Sequence, residues 1–208
     1  ALGLTMKVLI AGLGSIGRRH LRNLRKVGIQ DVIAYRVRGN DIPEMDEHPL
    51  PVYGSLATAL AQKPDIVFVT NPTSLHLEVA LAAARQGCHL FIEKPLSHTL
   101  KRVDELIDIA TTNRSVAMVG CNFRFHPALQ QIQRLLAAGS LGRVITARGH
   151  AGEFLPGWHP GEDWRLGYSA RKELGGGVIL TLIHELDYAY WLFGPVRKVF
   201  AQAGGWGG

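Results

Sequence analysis

Short apolar runs rich in β-branched residues alternate with segments of helical periodicity as far as residue 139 of this 208-residue chain. The runs predict strands at residues 6–13, 31–36, 65–72, 89–95 and 115–125. The periodic segments predict helices at residues 18–28, 55–62, 76–87, 99–112 and 127–139. Because these strands have no polar face, each must be covered on both sides, which requires a parallel sheet with helices on both faces. We therefore predict a doubly wound α/β domain over residues 1–123.

A glycine-rich turn, GLGSIG, follows the first predicted strand directly and leads into a helix. This strand–turn–helix context is the one that dinucleotide binding needs. Gly12 permits the tight turn, Gly14 lets the backbone approach a pyrophosphate, and Gly17 allows close packing of the helix. The helix start, which includes Ser15 and Ile16, supplies N–H donors for the phosphates. The alternative is a glycine turn that serves only to pack the strand against the helix.

The end of the second predicted strand bears on the choice of dinucleotide. A carboxylate at this point would bind the ribose 2′-OH of NAD. The sequence has Arg36 and Arg38 there instead, and two guanidinium groups suit the 2′-phosphate of NADP. This favours NADP and leaves NAD possible. The alternative is that both arginines are exposed loop charges.

The fourth predicted strand, residues 89–95, ends in a carboxylate, an ammonium and a proline, which are Glu93, Lys94 and Pro95. In an open parallel sheet, ligands lie outside the carboxyl ends of the strands, so this tripeptide emerges where a nicotinamide ring would lie. A lysine at that point is a candidate general acid or base, and the proline restricts the backbone that directs it. The alternative is a surface lysine at the end of a strand.

Together, these segments resemble the Gfo/Idh/MocA oxidoreductases, relatives of glucose-fructose oxidoreductase and inositol dehydrogenase. The matching pieces, in family order, are AGLGSIGRRHLRNL, TNPTSLHLEVALAAARQG, EKP, GCNFRFHP and LGGGVILTLIHELDYAYWLFG. They cover nearly the whole chain from Met6, and EKP after a glycine-loop domain is the most specific of them. The resemblance implies a Rossmann fold and an NAD(P)-dependent enzyme that moves a hydride between the nicotinamide and a carbinol or carbonyl of a sugar, sugar derivative or cyclitol.

The resemblance also implies roles for individual residues. It places Lys94 beside the nicotinamide and the substrate hydroxyl, with His184 facing the substrate as its acid/base partner. Glu93 and Pro95 would shape the cofactor pocket. The other residues that it places at the cofactor or at the border of the active site are Asn71, Pro72, His76, Asn122 and Arg124.

One position departs from the family pattern, which has an aspartate one turn before the histidine. This chain has Leu180 or Thr181 there, and neither supplies a negative charge that would orient or stabilise a protonated histidine. Asp187, one turn after His184, is the candidate replacement.

A long aromatic and charged loop lies between residues 154 and 177. Long loops in compact domains are usually functional or disordered. Aromatic faces pack on sugar rings while polar groups bind hydroxyls, so the loop is a candidate substrate surface, although each aromatic could instead serve packing. Its candidate residues are Trp158, His159, Trp164, Arg165 and Tyr168, and the full candidate substrate set adds Lys94, Arg124 and His184.

The second domain, residues 124–208, is predicted to be a partial α+β domain. Only residues 143–151 and 197–203 have strand character, and so few strands cannot hold a sheet. The domain therefore looks truncated, unless the missing strands come from elsewhere. In the resembled family this sheet commonly forms the oligomer interface, which implies a homo-oligomer if the sheet is complete. The helix after Gly177 is apolar almost all round and is predicted to be buried.

Composition limits the remaining function classes. The 47% hydrophobic content is ordinary for a packed protein, and no apolar run reaches the roughly 18 residues that span a bilayer. We expect a soluble, cytoplasmic protein without a membrane partner. Cys88 and Cys121 are isolated and show no metal-ligand spacing, so no metal site is expected.

The net charge of +6 raises the possibility of a nucleic-acid partner. Much of it lies in one predicted helix without interleaved aromatics, so we expect no nucleic-acid binding.

The main alternative to the enzyme is a truncated or catalytically silent nicotinamide-dinucleotide-binding protein. The sequence leaves the particular substrate and the direction of hydride transfer open.

Overall fold

The computed structural model describes residues 6–37, 50–158, 161 and 163–204. In these residues six strands form one parallel sheet, in the order β3-β2-β1-β4-β5-β6. The strands are β1 (Val8–Ala11), β2 (Val32–Tyr35), β3 (Val52–Tyr53), β4 (Ile66–Val69), β5 (His89–Ile92) and β6 (Ala117–Val119). The strand order reverses between β1 and β4, which confirms the predicted doubly wound α/β domain.

Seven α-helices occur in the described residues. They are α1 (Ser15–Lys26), α2 (Leu56–Leu60), α3 (His76–Arg85), α4 (Val103–Thr112), α5 (Pro127–Ala137), α6 (Val178–Thr181) and α7 (His184–Phe193). The chain divides into two compact units. The first unit comprises residues 1–120 and 154–181, and the second comprises residues 121–153 and 182–208. The domain boundary at residue 123 stays a prediction.

The core of the first unit lies on both faces of the sheet. Along β1, Val8 and Ile10 belong to a buried cluster with Leu21 of α1. The alternate residue Leu9 belongs to a second cluster, which includes Leu81 of α3. Because side chains alternate across a strand, β1 has an apolar partner on each side. This arrangement explains why its sequence has no polar face.

Several strand predictions in the first half need correction. The strands predicted over residues 65–72 and 89–95 end at Val69 and Ile92, where their pairing with neighbouring strands stops. The strand predicted over residues 115–125 ends at Val119, and Asn122–Phe125 form a 3₁₀ turn. Its length was overestimated because apolar composition alone does not reveal where the pairing with β5 stops. The two-residue strand β3 was missed because so short a segment has no periodicity.

The second unit differs more from prediction. In the described residues neither 143–151 nor 197–203 forms a strand. A strand exists only through a ladder of hydrogen bonds to a neighbour, and these segments are not paired in the described part of the unit.

The single buried helix predicted after Gly177 is also wrong. It is interrupted after Thr181 by a turn, giving α6 and α7, and none of the residues of α7 is buried. Leu186 and Tyr190 are 58% and 55% exposed. Within the second unit α7 packs on α5 and on the Asn122–Phe125 turn, which leaves much of its apolar surface uncovered.

Candidate functional site

The three glycines after β1 differ sharply in the space around them. A side chain at Gly12 would lie 2.6 Å from the backbone nitrogen of Asn71, and the φ of Gly12 is +112°. At Gly17 a Cβ atom would lie 1.9 Å from the carbonyl oxygen of Gly12. At Gly14 it would meet nothing within 4 Å. Gly12 and Gly17 are therefore required by packing, whereas the backbone at Gly14 is open to an incoming group.

The start of α1 fits the phosphates of a dinucleotide. The N-cap residue Gly14 has no side chain to accept from the first N–H groups, and the first turn contains no acidic residue. Thr70, at the end of β4, donates from Oγ1 to the Gly12 carbonyl at 2.7 Å and fixes the turn. The helix start therefore offers unsatisfied donors and the positive end of the helix dipole, both of which favour an anion. Ser15 and Ile16 are the first residues of that turn.

Arg36, one of the two arginines predicted to bind a 2′-phosphate, lies at the end of β2. Arg36 follows Tyr35 directly and is anchored by its backbone N–H, which donates to the Tyr53 carbonyl at 3.0 Å. Its side chain is half-buried rather than fully exposed. Arg38 and His159 lie outside the described residues.

The segment after β4 is held by a buried histidine. His76, the first residue of α3, is 2% exposed. Its Nε2 lies 2.9 Å from the Asn71 carbonyl oxygen and its Nδ1 lies 2.9 Å from the Pro95 carbonyl oxygen. Burial lowers the pKa of His76 below its ordinary value, although the Pro95 and Asn71 carbonyls and the charge of Glu93 oppose this shift. His76 thus joins the ends of β4 and β5, and Pro72 lies between Asn71 and the turn that leads into α3.

The tripeptide Glu93-Lys94-Pro95 follows β5 at the same edge of the sheet as the glycine loop. Lys94 donates from Nζ to the Thr181 carbonyl at 2.8 Å, and its backbone N–H donates to Glu93 Oε2 at 3.2 Å. The other carboxylate oxygen of Glu93, Oε1, lies 2.7 Å from His20 Nε2. The lysine side chain therefore leaves a segment that is fixed by hydrogen bonds at several points.

His20 was missed by the sequence reasoning. It lies in α1, three residues after Gly17 and four before Leu24, on the stripe that faces the sheet. The signal was a polar residue on the apolar stripe of the glycine-loop helix, where its side chain is 15% exposed. Its ring contacts Phe68 and Phe91, with centroid distances of 5.3 and 5.0 Å.

The aromatic loop, residues 154–177, belongs to the first unit. Gly175 is packed so closely that a Cβ atom would lie 2.8 Å from Cβ of Thr73. Trp164 and Tyr168 are 36% and 39% exposed, and the Arg165 guanidinium lies 4.9 Å from the Trp164 ring centroid. Trp158 is half-buried at the start of the loop. The loop thus presents partly exposed aromatic faces.

The remaining predicted site residues lie in the second unit. Arg124 binds Asp187 through two nitrogens, with Nη2–Oδ1 and Nε–Oδ2 distances of 2.6 and 2.9 Å. The hydrogen bond to Asp187 raises the pKa of Arg124. The His184 ring stacks on Phe123 at 4.4 Å. Asn122 begins the turn that contains Phe123 and Arg124.

These contacts show which predicted partners come together. Lys94 and Thr181 meet in the first unit, and Arg124 and Asp187 meet in the second. His184 belongs to the second unit, so its partnership with Lys94 stays a prediction. In the described residues, no group of three or more His, Cys, Asp or Glu side chains is arranged to hold a metal ion.

The sheet order and the glycine loop define the first unit as a nucleotide-binding domain of the Rossmann type. Residues 6–121 match the model of the Gfo/Idh/MocA oxidoreductases, described as an oxidoreductase family with an NAD-binding Rossmann fold. Residues 129–206 match the GFO/IDH/MocA C-terminal domain. The chain therefore belongs to the Gfo/Idh/MocA family, which confirms the resemblance drawn from its motifs.

The relatives of the chain include sugar and cyclitol dehydrogenases. It is 31% identical to the myo-inositol 2-dehydrogenase of Thermotoga maritima over 206 residues, covering 95% of this chain and 58% of that protein. It is 36% identical to the D-glucoside 3-dehydrogenase of Escherichia coli, covering 71% of this chain and 41% of that protein. The crystal structure of the Lactobacillus plantarum myo-inositol 2-dehydrogenase superposes on this chain with a TM-score of 0.78, so the two share a fold. The sequence identity is 24%, and the match covers 91% of this chain and 56% of that one. The chain spans about half the length of these relatives.

No helix in the described part of the chain combines the length and the apolar character needed to cross a membrane.

Proposed function

We propose that the protein is an NAD(P)-dependent oxidoreductase that acts on a CH–OH group, or the corresponding carbonyl, of a sugar, sugar derivative or cyclitol. The observation that carries the proposal is the position of Lys94 at the sheet edge that also presents the glycine loop, with its Nζ held by the Thr181 carbonyl at 2.8 Å. A fixed amine at the ligand-binding edge of a dinucleotide domain is suited to handling the proton of a substrate hydroxyl. The names of the relatives support a polyhydroxylated substrate.

In this proposal a nicotinamide coenzyme, when bound, would supply the hydride-transfer chemistry. The residues of the chain bind the coenzyme, orient the substrate and move the proton. The backbone at Gly14, Ser15 and Ile16 binds the pyrophosphate. Lys94 and His184 are the catalytic residues, and they take the proton from the substrate hydroxyl or return it to the carbonyl oxygen. Asp187 is engaged by Arg124, so it would act by holding that arginine and the turn around Asn122 in place.

Arg36 and Arg38 form the proposed 2′-phosphate site and favour NADP, with NAD as the second possibility. The argument is chemical: the end of β2 has no carboxylate for the ribose 2′-OH, and a guanidinium group binds phosphate in a bidentate manner. Glu93, Pro95, Asn71, Pro72 and His76 shape the nicotinamide side of the pocket.

The substrate surface is proposed to include the aromatic loop. Trp164 and Tyr168 present partly exposed rings, and the Arg165 guanidinium beside Trp164 offers donors to hydroxyl groups. Trp158 and Arg124 complete the proposed set.

The direct test is a titration of the purified chain with NADPH and with NADH, followed by reduced-nicotinamide fluorescence and then by a screen of sugars and cyclitols for turnover. Tight binding with NADPH preferred, and turnover of at least one polyol, is the expected result. Binding of neither dinucleotide would overturn the proposal.

A second candidate is a dinucleotide-binding protein without turnover. It is favoured by the missing family aspartate, at the position that Leu180 or Thr181 takes in this chain. The Thr181 hydroxyl is buried without a hydrogen-bond partner among the described residues. Coenzyme binding without oxidation or reduction of any polyol would select this candidate.

We also infer that the protein forms homo-oligomers through its second unit. Ile145, Val199 and Phe200 are 81%, 81% and 92% exposed. All three lie in the segments 143–151 and 197–203, which the sequence predicted as strands of the interface sheet, and a contiguous apolar patch formed by such side chains would be an interaction surface.

A further inference from the structure

The carboxylate of Glu93 and the imidazole of His20 form an enclosed pair. Their side chains are 13% and 15% exposed, and Oε1 lies 2.7 Å from Nε2. Phe68 of β4 and Phe91 of β5 contact the imidazole, and these two rings stack at 4.8 Å. Because a carboxylate accepts and does not donate, His20 donates from Nε2. A charge this far removed from water needs such a partner, so Glu93 depends on His20.

The same carboxylate also holds the residue that follows it. Oε2 of Glu93 accepts the backbone N–H of Lys94 at 3.2 Å, while Oε1 is held by His20. On the other side, the Pro95 carbonyl is held by His76 at 2.9 Å. The backbone on both sides of Lys94 is therefore tied to histidines of other elements, through Glu93 to His20 of α1 and directly to His76 of α3.

The helix that carries His20 is the one that begins at the glycine loop. Gly17 allows that helix to approach within packing contact of the turn, and His20 lies one helical turn further along the same face. Gly120 closes the opposite side, where an added Cβ would lie 3.2 Å from the Phe91 ring and 3.5 Å from the Glu93 carboxyl carbon. The pair thus sits between α1 and the ends of β5 and β6 with little room to move.

We propose that His20 is a positioning residue: through Glu93 it fixes the backbone and the direction of Lys94 relative to the glycine-loop helix. The inference rests on the proposed function in one respect, which is that Lys94 is the residue that needs positioning. His20 itself touches neither coenzyme nor substrate in this assignment. Its effect reaches the lysine through two hydrogen bonds.

The test measures the reactivity of Lys94 in the intact chain without coenzyme or substrate. The chain is labelled with a trace of acetic anhydride, and the acetylation rates of Lys94 and of the exposed Lys101 are compared by peptide mass spectrometry. His20→Phe keeps a ring between Phe68 and Phe91 but removes the donor, so Lys94 should be labelled about fivefold faster relative to Lys101. His20→Gln places an amide donor near the position of Nε2 and should restore the wild-type ratio.

The controls separate positioning from general damage. General loosening would also speed the labelling of the half-buried Lys7, whose Nζ donates to the Gln62 carbonyl at 3.2 Å. Arg22→Gln, an exposed change on the same helix, should leave the ratio of Lys94 to Lys101 unaltered. An unchanged ratio in His20→Phe, or an equal rise in His20→Gln, would overturn the proposal. If circular dichroism shows that His20→Phe does not fold, Glu93→Leu decides, because leucine has no acceptor for the Lys94 N–H or for His20. A wild-type ratio in folded Glu93→Leu overturns the proposal.

Failure of the proposed function is distinguishable from failure of this inference. A chain that binds coenzyme and turns over no polyol would still show the labelling difference if His20 holds Lys94. If a substrate is found, the variant His20→Phe should lower kcat by about tenfold and leave KM and coenzyme affinity within about threefold, because it misplaces a catalytic group without removing a binding contact.

Discussion

Lys94 is the residue on which the proposed chemistry depends. Lys94→Met keeps the length and apolar stem of the side chain and removes the amine. Turnover should fall by about a thousandfold, because general acid/base groups contribute on that order, while coenzyme affinity should change by less than about threefold. Steady-state kinetics and NADPH fluorescence measure the two effects. Lys101→Met, an exposed lysine of the same unit, is the matched control, and full activity in Lys94→Met would remove the residue from the mechanism.

Arg36 decides the proposed coenzyme preference. Arg36→Gln should weaken NADPH binding by about tenfold or more, which corresponds to the loss of a charge-assisted hydrogen bond. Binding of NADH, which has no 2′-phosphate, should stay within about twofold. Parallel fluorescence titrations of the variant and of Arg22→Gln test this difference. Equal losses for both coenzymes would contradict a 2′-phosphate site at Arg36.

At the scale of the elements, two glycine-to-alanine substitutions in the glycine loop should differ sharply in their effect on stability. Gly17→Ala would place a Cβ atom 1.9 Å from the Gly12 carbonyl oxygen and force α1 away from β1. We expect it to lower the free energy of unfolding by about 3 kcal/mol. Gly14→Ala has open space around it and an extended backbone, so stability should change by less than about 0.5 kcal/mol.

For coenzyme binding, Gly14→Ala is the informative substitution. Gly14→Ala should fold normally and bind NADPH at least about tenfold more weakly, because its methyl group occupies the path of the pyrophosphate. Urea unfolding and fluorescence titration measure the two properties. A Gly14→Ala variant with unchanged affinity would show that the pyrophosphate does not approach this turn.

The stability of the whole molecule should depend on pH through His76. Burial lowers the folded-state pKa of this histidine below its ordinary value of 6.5. Below that value the unfolded chain takes up a proton that the folded chain resists, so the free energy of unfolding should fall as pH decreases from about 7. His76→Gln should have a shallower pH dependence between pH 7 and pH 5. Urea denaturation at a series of pH values gives the comparison, with exposed His150→Gln as the control that should retain the wild-type slope.

Oligomer formation is also a property of the whole molecule. If the second unit mediates it, Phe200→Glu should shift the chain toward monomer in sedimentation equilibrium, because a charge replaces a 92% exposed apolar side chain at the interface. Leu100→Glu, 86% exposed in the first unit, should have no effect. A wild-type chain that is monomeric at all concentrations would contradict the inference.

Much of the first unit was predictable because its signals are local. The apolar strand of β1 and the helical stripe of α1 follow from residue spacing, and the three glycine roles follow from their order along the chain. The position of Lys94 at the carboxyl end of a strand follows from the parallel sheet. The second unit was predicted less well, since the irregular segments 143–151 and 197–203 have strand-like composition without a paired neighbour in the described residues.

The sequence by itself determined the sheet, the dinucleotide loop and the edge at which Lys94 emerges, because periodicity and turn chemistry act over a few neighbouring residues. Only the tertiary structure decided the partners of the charged groups. His20 and Glu93 are 73 positions apart, and Arg124 and Asp187 are 63 apart. Such pairs depend on distances of a few ångströms between side chains from different elements, and this information exists only once the helices are packed on the sheet and on one another.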